Sequence, residues 1–186
     1  TLAERLERAS NPVLIAGPDV DASGGWDLAV ALAERQRLPV WASPTTGGVR
    51  LGFPENHPNF RGVLPPAIGP VGQTLEGHDL ILVVGSSVFP YYPHIPGPLL
   101  PEGAKLVAIT SDPDEAVRAP MGDAIVADVK LSLEARLEAV PESARPAPEP
   151  NQGPGEIPAS YPLTASTVHT ALGEVLPDDA IVMHPG

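Results

Sequence analysis

A chain of 186 residues, 42% of them hydrophobic, can bury the core of one ordinary domain with some chain left over. The net charge of −12 opposes contact with nucleic acid and with anionic membranes, so we expect neither as a partner. The absence of cysteine excludes disulfides and thiolate sites and is compatible with the cytoplasmic location that we expect. No apolar run is long enough to span a membrane, and the start has neither Met nor a signal peptide, which favours a piece of a longer protein.

Short apolar runs alternate with segments of helical spacing along the first 140 residues. The runs that predict strands are 13–16, 40–42, 80–84, 106–109 and 124–127. Continuous runs of this length are typical of strands buried on both faces of a parallel sheet. Helical spacing follows at 2–10, 26–37, 68–75 and 129–140. We therefore predict an α/β, doubly wound, Rossmann-like parallel sheet of about six strands with helices on both faces.

The composition changes after residue 140. Residues 141–162 contain seven prolines, three glutamates and two glycines, which predicts an extended, polar linker. Residues 164–175 then have the pattern of a helix capped by a threonine, and a new apolar strand begins at Ala180. We predict a central domain at 1–140, a linker at 141–162, and at 163–186 the start of a further domain.

The loop GPDVDASGG, residues 17–25, follows the first strand, where a dinucleotide-binding protein keeps its phosphate loop. It lacks the G-x-G-x-x-G spacing, and Pro18 has no backbone N–H to offer a phosphate. The carboxylates of Asp19 and Asp21 also repel a phosphate. We predict that the loop binds no phosphate and that Asp21 or Ser23 caps the following helix. The sequence leaves open a nucleotide-binding site elsewhere along the carboxyl ends of the strands.

A second loop, residues 85–94, follows the predicted strand 80–84. It does not match the G-x-S-x-G nucleophile elbow, which opposes a self-contained serine hydrolase. Tyr92 and His94 place polar groups on a stretch stiffened by proline, and His94 is either a solvated surface group or a residue that reaches an active site. The five histidines have no metal-ligand spacing, so no zinc site is predicted.

Two further segments each allow two interpretations. Residues 57–62 indicate a turn before a helix, in which Phe60 fills the core and Arg61 is solvated or paired with an acid. Asp112, directly before Pro113, is expected to cap a helix, and the alternative is a contact with the ribose of an adenosine.

Several blocks of residues together resemble the middle domain of the thiamine-diphosphate-dependent 2-oxoacid decarboxylase family, in particular its benzoylformate-cleaving branch. The blocks are Asn11-Pro12, Gly17 to Asp21, Ala33-Glu34-Arg35, Pro39 to Trp41, His57 to Gly62, Leu75 to Asp79, Val88-Phe89 and Ala119 to Asp128. The block 119–128 is the most specific of them. The resemblance covers residues 2–140, and the tail resembles the start of the family's diphosphate-binding domain.

The resemblance implies a lyase of three domains in which the outer two hold thiamine diphosphate and Mg²⁺ between subunits of a homo-oligomer, a tetramer in related enzymes. The full enzyme would convert benzoylformate to benzaldehyde and CO₂, with the cofactor as electron sink. The middle domain would be a scaffold, so this chain alone is expected to be inactive and to bind neither cofactor nor metal. Its partners would be the missing N- and C-terminal domains.

The family also implies one catalytic contribution from the middle domain, a histidine in the loop after Val-Phe that acts as an acid/base group. Counting from Val88-Phe89, Tyr92 occupies that position here, and the nearest histidine is His94. Either a shifted loop lets His94 take the role, or Tyr92 fills the space and the substrate differs. Two other interpretations stay open: the FAD-binding central domain of an acetolactate-synthase-like enzyme, and a free-standing nucleotide-binding module.

Overall fold

A computed structural model of the chain describes residues 1–44, 50–89, 95–152, 161–177 and 180. The chain divides into two compact units, residues 1–151 and 152–186. The elements, in chain order, are α1 (Leu2–Arg8), β1 (Pro12–Ala16), α2 (Pro18–Ala22), α3 (Trp26–Gln36), β2 (Val40–Ala42), β3 (Phe60–Val63), α4 (Ile68–Thr74), β4 (Leu80–Val84), β5 (Lys105–Thr110), α5 (Pro113–Arg118), β6 (Asp123–Val126), α6 (Val129–Ala139) and α7 (Ala165–Val175).

The first unit contains one six-stranded sheet in the order β3-β2-β1-β4-β5-β6, with every pair parallel. The chain crosses in opposite directions on the two sides of the β1/β4 pair, which is the topological switch point of a doubly wound fold. The predicted α/β class, parallel sheet and strand number are confirmed.

Two hydrophobic cores lie on opposite faces of the sheet because successive strand side chains alternate in direction. Leu14 of β1 packs in the same core as Leu32 of α3 and Leu133 of α6. Its neighbour Ile15 packs in the other core, with Val71 of α4. All five residues of β1 and of β4 are buried, as continuous apolar runs predict for central strands.

The edge strands differ from their sequence patterns. The run at 124–127 was expected to be buried on both faces, but all four residues of β6 are exposed, and Val126 keeps 52% of its surface. The expectation is wrong because β6 lies at the edge of the sheet, where apolar composition does not report burial. At the other edge, residues 60–63 form β3 where only a turn was expected, although Phe60 does fill the core at 4% exposure.

The predictions of helix caps have mixed outcomes. Asp112 accepts a hydrogen bond from the Asp114 N–H at 2.8 Å, and Thr164 accepts one from the Thr167 N–H, so both predicted caps are confirmed. The cap predicted from Asp21 or Ser23 is wrong. Ser23 donates instead to the Val20 carbonyl, Asp21 pairs with Arg50, and α3 begins after Gly25 without a side-chain cap.

Within the part of the chain that the structure describes, no helix has the length and apolar character needed to cross a membrane.

Candidate functional site

Tyr92 and His94 lie outside the described residues, and so does the predicted strand after Ala180. The described residues on either side of positions 90–94 have contacts of their own. Phe89, 3% exposed, lies in the core beside β4. On the return side, the Ile95 carbonyl accepts a hydrogen bond from the Gly69 N–H in the first turn of α4. The two described residues that flank positions 90–94 are therefore each held by the domain, Phe89 by the core and Ile95 by α4.

Phe89 has a left-handed backbone conformation, with φ of 45°. The left-handed conformation raises the energy of any residue other than glycine by about 1–2 kcal/mol. Such strain persists only where the surrounding packing holds the residue in place. Here the buried ring supplies that packing. The strain directly precedes residues 90–94, the segment that the sequence singled out.

A network of polar side chains follows the carboxyl ends of β4 and β5. Ser87 Oγ donates to one carboxylate oxygen of Glu115 at 2.7 Å, and Thr110 Oγ1 donates to the other at 3.0 Å. Thr110 is 2% exposed and also accepts from the Asp112 N–H. Both oxygens of the Glu115 carboxylate are thus held in place. Sequence reasoning missed this link, and its only signal was that the residues follow neighbouring strands.

Asp19 at the start of α2 adds a further carboxylate to this edge. Burial raises its pKa, and the charges of Glu115 and Asp112 raise it further. Asp19, Ser43, Ser87 and Glu115 are among the residues that line a small cavity of about 120 Å³. The cavity is rich in negative charge, which disfavours a bound phosphate.

The switch point between β1 and β4, where a dinucleotide would lie, is filled by backbone. The Gly17 N–H donates to the Val84 carbonyl, and the Asp19 N–H donates to the Gly85 carbonyl. A Cβ added at Gly17 would lie 2.3 Å from the Gly85 oxygen, which shows how closely the two loops approach. The N–H groups that a phosphate would need are already engaged with carbonyls.

A cavity of about 570 Å³ lies at the opposite end of the sheet, by the amino ends of β4 and β5. It is an open cleft lined by Arg5, Arg8, Ala9, Asp79, Leu80, Lys105 and Asp123. The Arg5 guanidinium pairs with Asp123 at 2.5 Å, and the Asp79 carboxylate accepts from the N–H groups of Ser10 and Asn11.

The family described as thiamine pyrophosphate enzyme, central domain, matches residues 1–136 of this chain. A curated benzoylformate decarboxylase of Pseudomonas aeruginosa is 51% identical over 181 residues, which cover 97% of this chain and 34% of that protein.

Solved structures agree with this relationship. The thiamine diphosphate-dependent 4-hydroxybenzoylformate decarboxylase of Rhodococcus jostii RHA1 matches with a TM-score of 0.88 and 45% identity. The benzoylformate decarboxylase of Polynucleobacter necessarius matches with a TM-score of 0.88 and 36% identity. Each match covers 97% of this chain and 34% of the other, so the chain spans about a third of the length of its relatives. The chain belongs to the thiamine pyrophosphate enzyme family and corresponds to its central domain.

Proposed function

We propose that this chain is the central domain of a thiamine-diphosphate-dependent decarboxylase that converts benzoylformate, or a close aromatic 2-oxoacid, to an aldehyde and CO₂. The observation that carries the proposal is the 51% identity to a benzoylformate decarboxylase over nearly the whole chain. The remaining domains would come from the rest of a polypeptide about three times as long, since each relative has that length. We further propose a homo-oligomer in the cytoplasm.

The residues described here do not themselves fit thiamine diphosphate or Mg²⁺. The switch-point N–H groups are occupied by carbonyls, and the adjacent edge carries Asp19 and Glu115. Among the described residues, no group of three or more His, Cys, Asp or Glu side chains could hold a metal ion. We therefore assign both the cofactor and the metal to the other domains of the enzyme, and no chemical step is assigned to the described residues.

The proposed contribution of this domain to the reaction is the segment at residues 90–94. It follows β4 at the carboxyl side of the sheet, where ligands bind in doubly wound folds. His94 would act as an acid/base group near the substrate, and Tyr92 would line the space beside it. The described neighbours of this segment support the proposal: Phe89 is buried in the core, and the Ile95 carbonyl is hydrogen-bonded to α4.

The test is CO₂ release from benzoylformate by the full-length protein with thiamine diphosphate and Mg²⁺, with the 186-residue chain as the control. We expect turnover by the full-length protein and none by the chain alone. Absence of turnover from the full-length protein, with another 2-oxoacid cleaved instead, would contradict the proposed substrate.

The same assay decides between the two candidate residues. His94→Ala should lower kcat/KM by about 100-fold, the typical effect of removing an acid/base group. Tyr92→Phe keeps the ring and should leave the rate within a few-fold of the wild type. The reverse pattern would assign the catalytic role to Tyr92.

A further inference from the structure

Residues 141–151, which we call the strap, run without helix or strand across the first unit and are hydrogen-bonded to it along their length. The Gln36 side chain donates to the Pro141 carbonyl at 2.5 Å, and the Ser143 N–H donates to the Arg35 carbonyl at 2.9 Å. At the far end, the Asn151 N–H donates to the Pro58 carbonyl at 2.8 Å. The strap is therefore docked on the domain at both of its ends.

The composition of the strap explains the kind of contact it makes. Its prolines lack an N–H but keep their carbonyls, so the segment cannot add a strand to a sheet and instead offers acceptors. The domain supplies cationic donors: the guanidinium groups of Arg37 and Arg61 donate to the carbonyls of Arg145 and Glu149. Arg61, expected to be solvated or paired with an acid, binds backbone carbonyls instead.

The centre of the strap is Arg145, whose side chain reaches back into the domain. Nη1 donates to the carbonyls of Leu6 at 2.8 Å and Ala9 at 3.1 Å, at the carboxyl end of α1. Nη2 donates to the carbonyl of Gln36 at 2.8 Å and to its side-chain oxygen at 3.0 Å, at the carboxyl end of α3. One guanidinium thus bonds to the ends of two helices.

Those acceptors are groups that a helix cannot satisfy by itself. The last carbonyls of a helix have no intrahelical partner, and the negative end of the helix dipole favours a cation there. The Arg35 and Gln36 carbonyls of α3 receive their hydrogen bonds from the strap, through the Ser143 N–H and Arg145. Burial lowers the pKa of Arg145, yet the guanidinium stays charged because its ordinary value is so high.

We infer that Arg145 is a positioning residue: by capping α1 and α3 together it holds the strap on the domain, and so fixes where the chain leaves this domain at Asn151. The inference rests on the proposed function in one respect. The chain beyond the strap would continue into the domain that binds the cofactor, so the position of the strap would affect the rate of decarboxylation.

The test uses the full-length protein and the variant Arg145→Met, with Arg8→Met as the matched control. Arg8 is an exposed arginine on α1 and takes no part in the strap. Amide hydrogen exchange at Ser143 and Asn151 should become at least about tenfold faster in Arg145→Met and stay unchanged in Arg8→Met. Exchange in β4 should be the same in all three proteins. Unchanged exchange at both strap amides would overturn the inference.

Two further variants keep the test valid if Arg145→Met does not fold. Arg145→Lys retains the positive charge but lacks the planar guanidinium that reaches all four acceptors. This variant should therefore give an intermediate acceleration of amide exchange. Gln36→Leu removes one acceptor of Arg145 and the donor to Pro141, and should accelerate exchange at Ser143 in particular. Wild-type exchange in both variants would contradict the capping role.

The kinetic readout separates positioning from simple stability. In Arg145→Met we expect kcat for benzoylformate to fall several-fold with KM nearly unchanged, and Arg145→Lys to restore part of kcat. Faster strap exchange with unchanged kcat would overturn the positioning role. If the wild-type protein does not cleave benzoylformate, the proposed substrate fails, while the exchange measurement still decides whether Arg145 holds the strap.

Discussion

The two ends of the parallel sheet differ in both charge and packing. At the carboxyl end, Asp19 and Glu115 make the surface acidic, and the loops containing Gly17 and Gly85 contact each other backbone to backbone. At the amino end, the charges that line an open cleft are mixed: Arg5, Arg8 and Lys105 lie beside Asp79 and Asp123. The fold class alone would place a ligand at the carboxyl end between β1 and β4. The comparison teaches that loop residues, not strand order, decide whether that crevice is available.

The largest expected effect is at the packed end. Gly17→Ala would place a Cβ 2.3 Å from both the Gly85 oxygen and the Ser86 Cβ, so one loop must move. We expect a loss of about 3 kcal/mol in the free energy of unfolding, as for a severe overpacking change. Urea unfolding of the 186-residue chain measures it.

Gly103→Ala is the matched control at the amino end of β5. Gly103 has φ of 78° but nothing within 4 Å of an added Cβ, so only the backbone strain remains. We expect a loss of about 1 kcal/mol. Equal losses in the two variants would show that the loops at the switch point can separate, and would remove the packing difference between the two ends.

A smaller effect is expected in the open cleft. Arg5→Ala removes the ion pair with Asp123, whose side chains are 49% and 65% exposed. Such surface pairs contribute about 0–1 kcal/mol, so the thermal midpoint should change by a few degrees at most and less in high salt. Arg8→Ala, which removes a charge from the same cleft without breaking that pair, provides the control. A loss above about 2 kcal/mol would mean that the cleft is more ordered than its exposure indicates.

The smallest effect concerns Asp19. Its pKa is raised above the ordinary value of 3.8, so the folded protein binds this proton more tightly than the unfolded chain does. The contribution of Asp19 to the free energy of unfolding is therefore fully present below its pKa in the unfolded chain. It is lost as the pH rises through its pKa in the folded protein. Asp19→Asn should remove this decrease in the free energy of unfolding with rising pH. At neutral pH the variant should be more stable than the wild type by roughly 0.3 kcal/mol after solvent screening.

Unfolding measured from pH 3 to pH 7 tests the sign of that effect. Asp27→Asn is the comparison, because Asp27, like Asp19, lies in the first turn of a helix, where negative charge is favourable, but Asp27 does not line the acidic cavity that Asp19 shares with Glu115. It should destabilise the protein slightly, opposite to Asp19→Asn. Destabilisation by Asp19→Asn at neutral pH would contradict the unfavourable acidic environment described for the carboxyl end.

The central strands could be predicted because burial on both faces leaves a continuous apolar run, as in β4. Edge strands leave no such signature: Phe60 to Val63 includes an arginine and a glycine with φ of 120°, and the apolar residues of β6 are exposed. The link between Ser87 and Glu115 depends on neighbouring strands, which periodicity does not report. The docking of the strap was hidden because prolines and polar residues are also typical of a free linker.

Arg145 also bears on the order in which the domain can fold. Its partners in α1 and α3 precede it by 109 to 139 residues, so these are among the most distant contacts in the sequence. During synthesis the ends of both helices emerge long before the arginine that caps them. Until then their last carbonyls are left to water, and closing so long a loop is slow. We expect the sheet to assemble first and the strap to complete the domain only after most of it has left the ribosome.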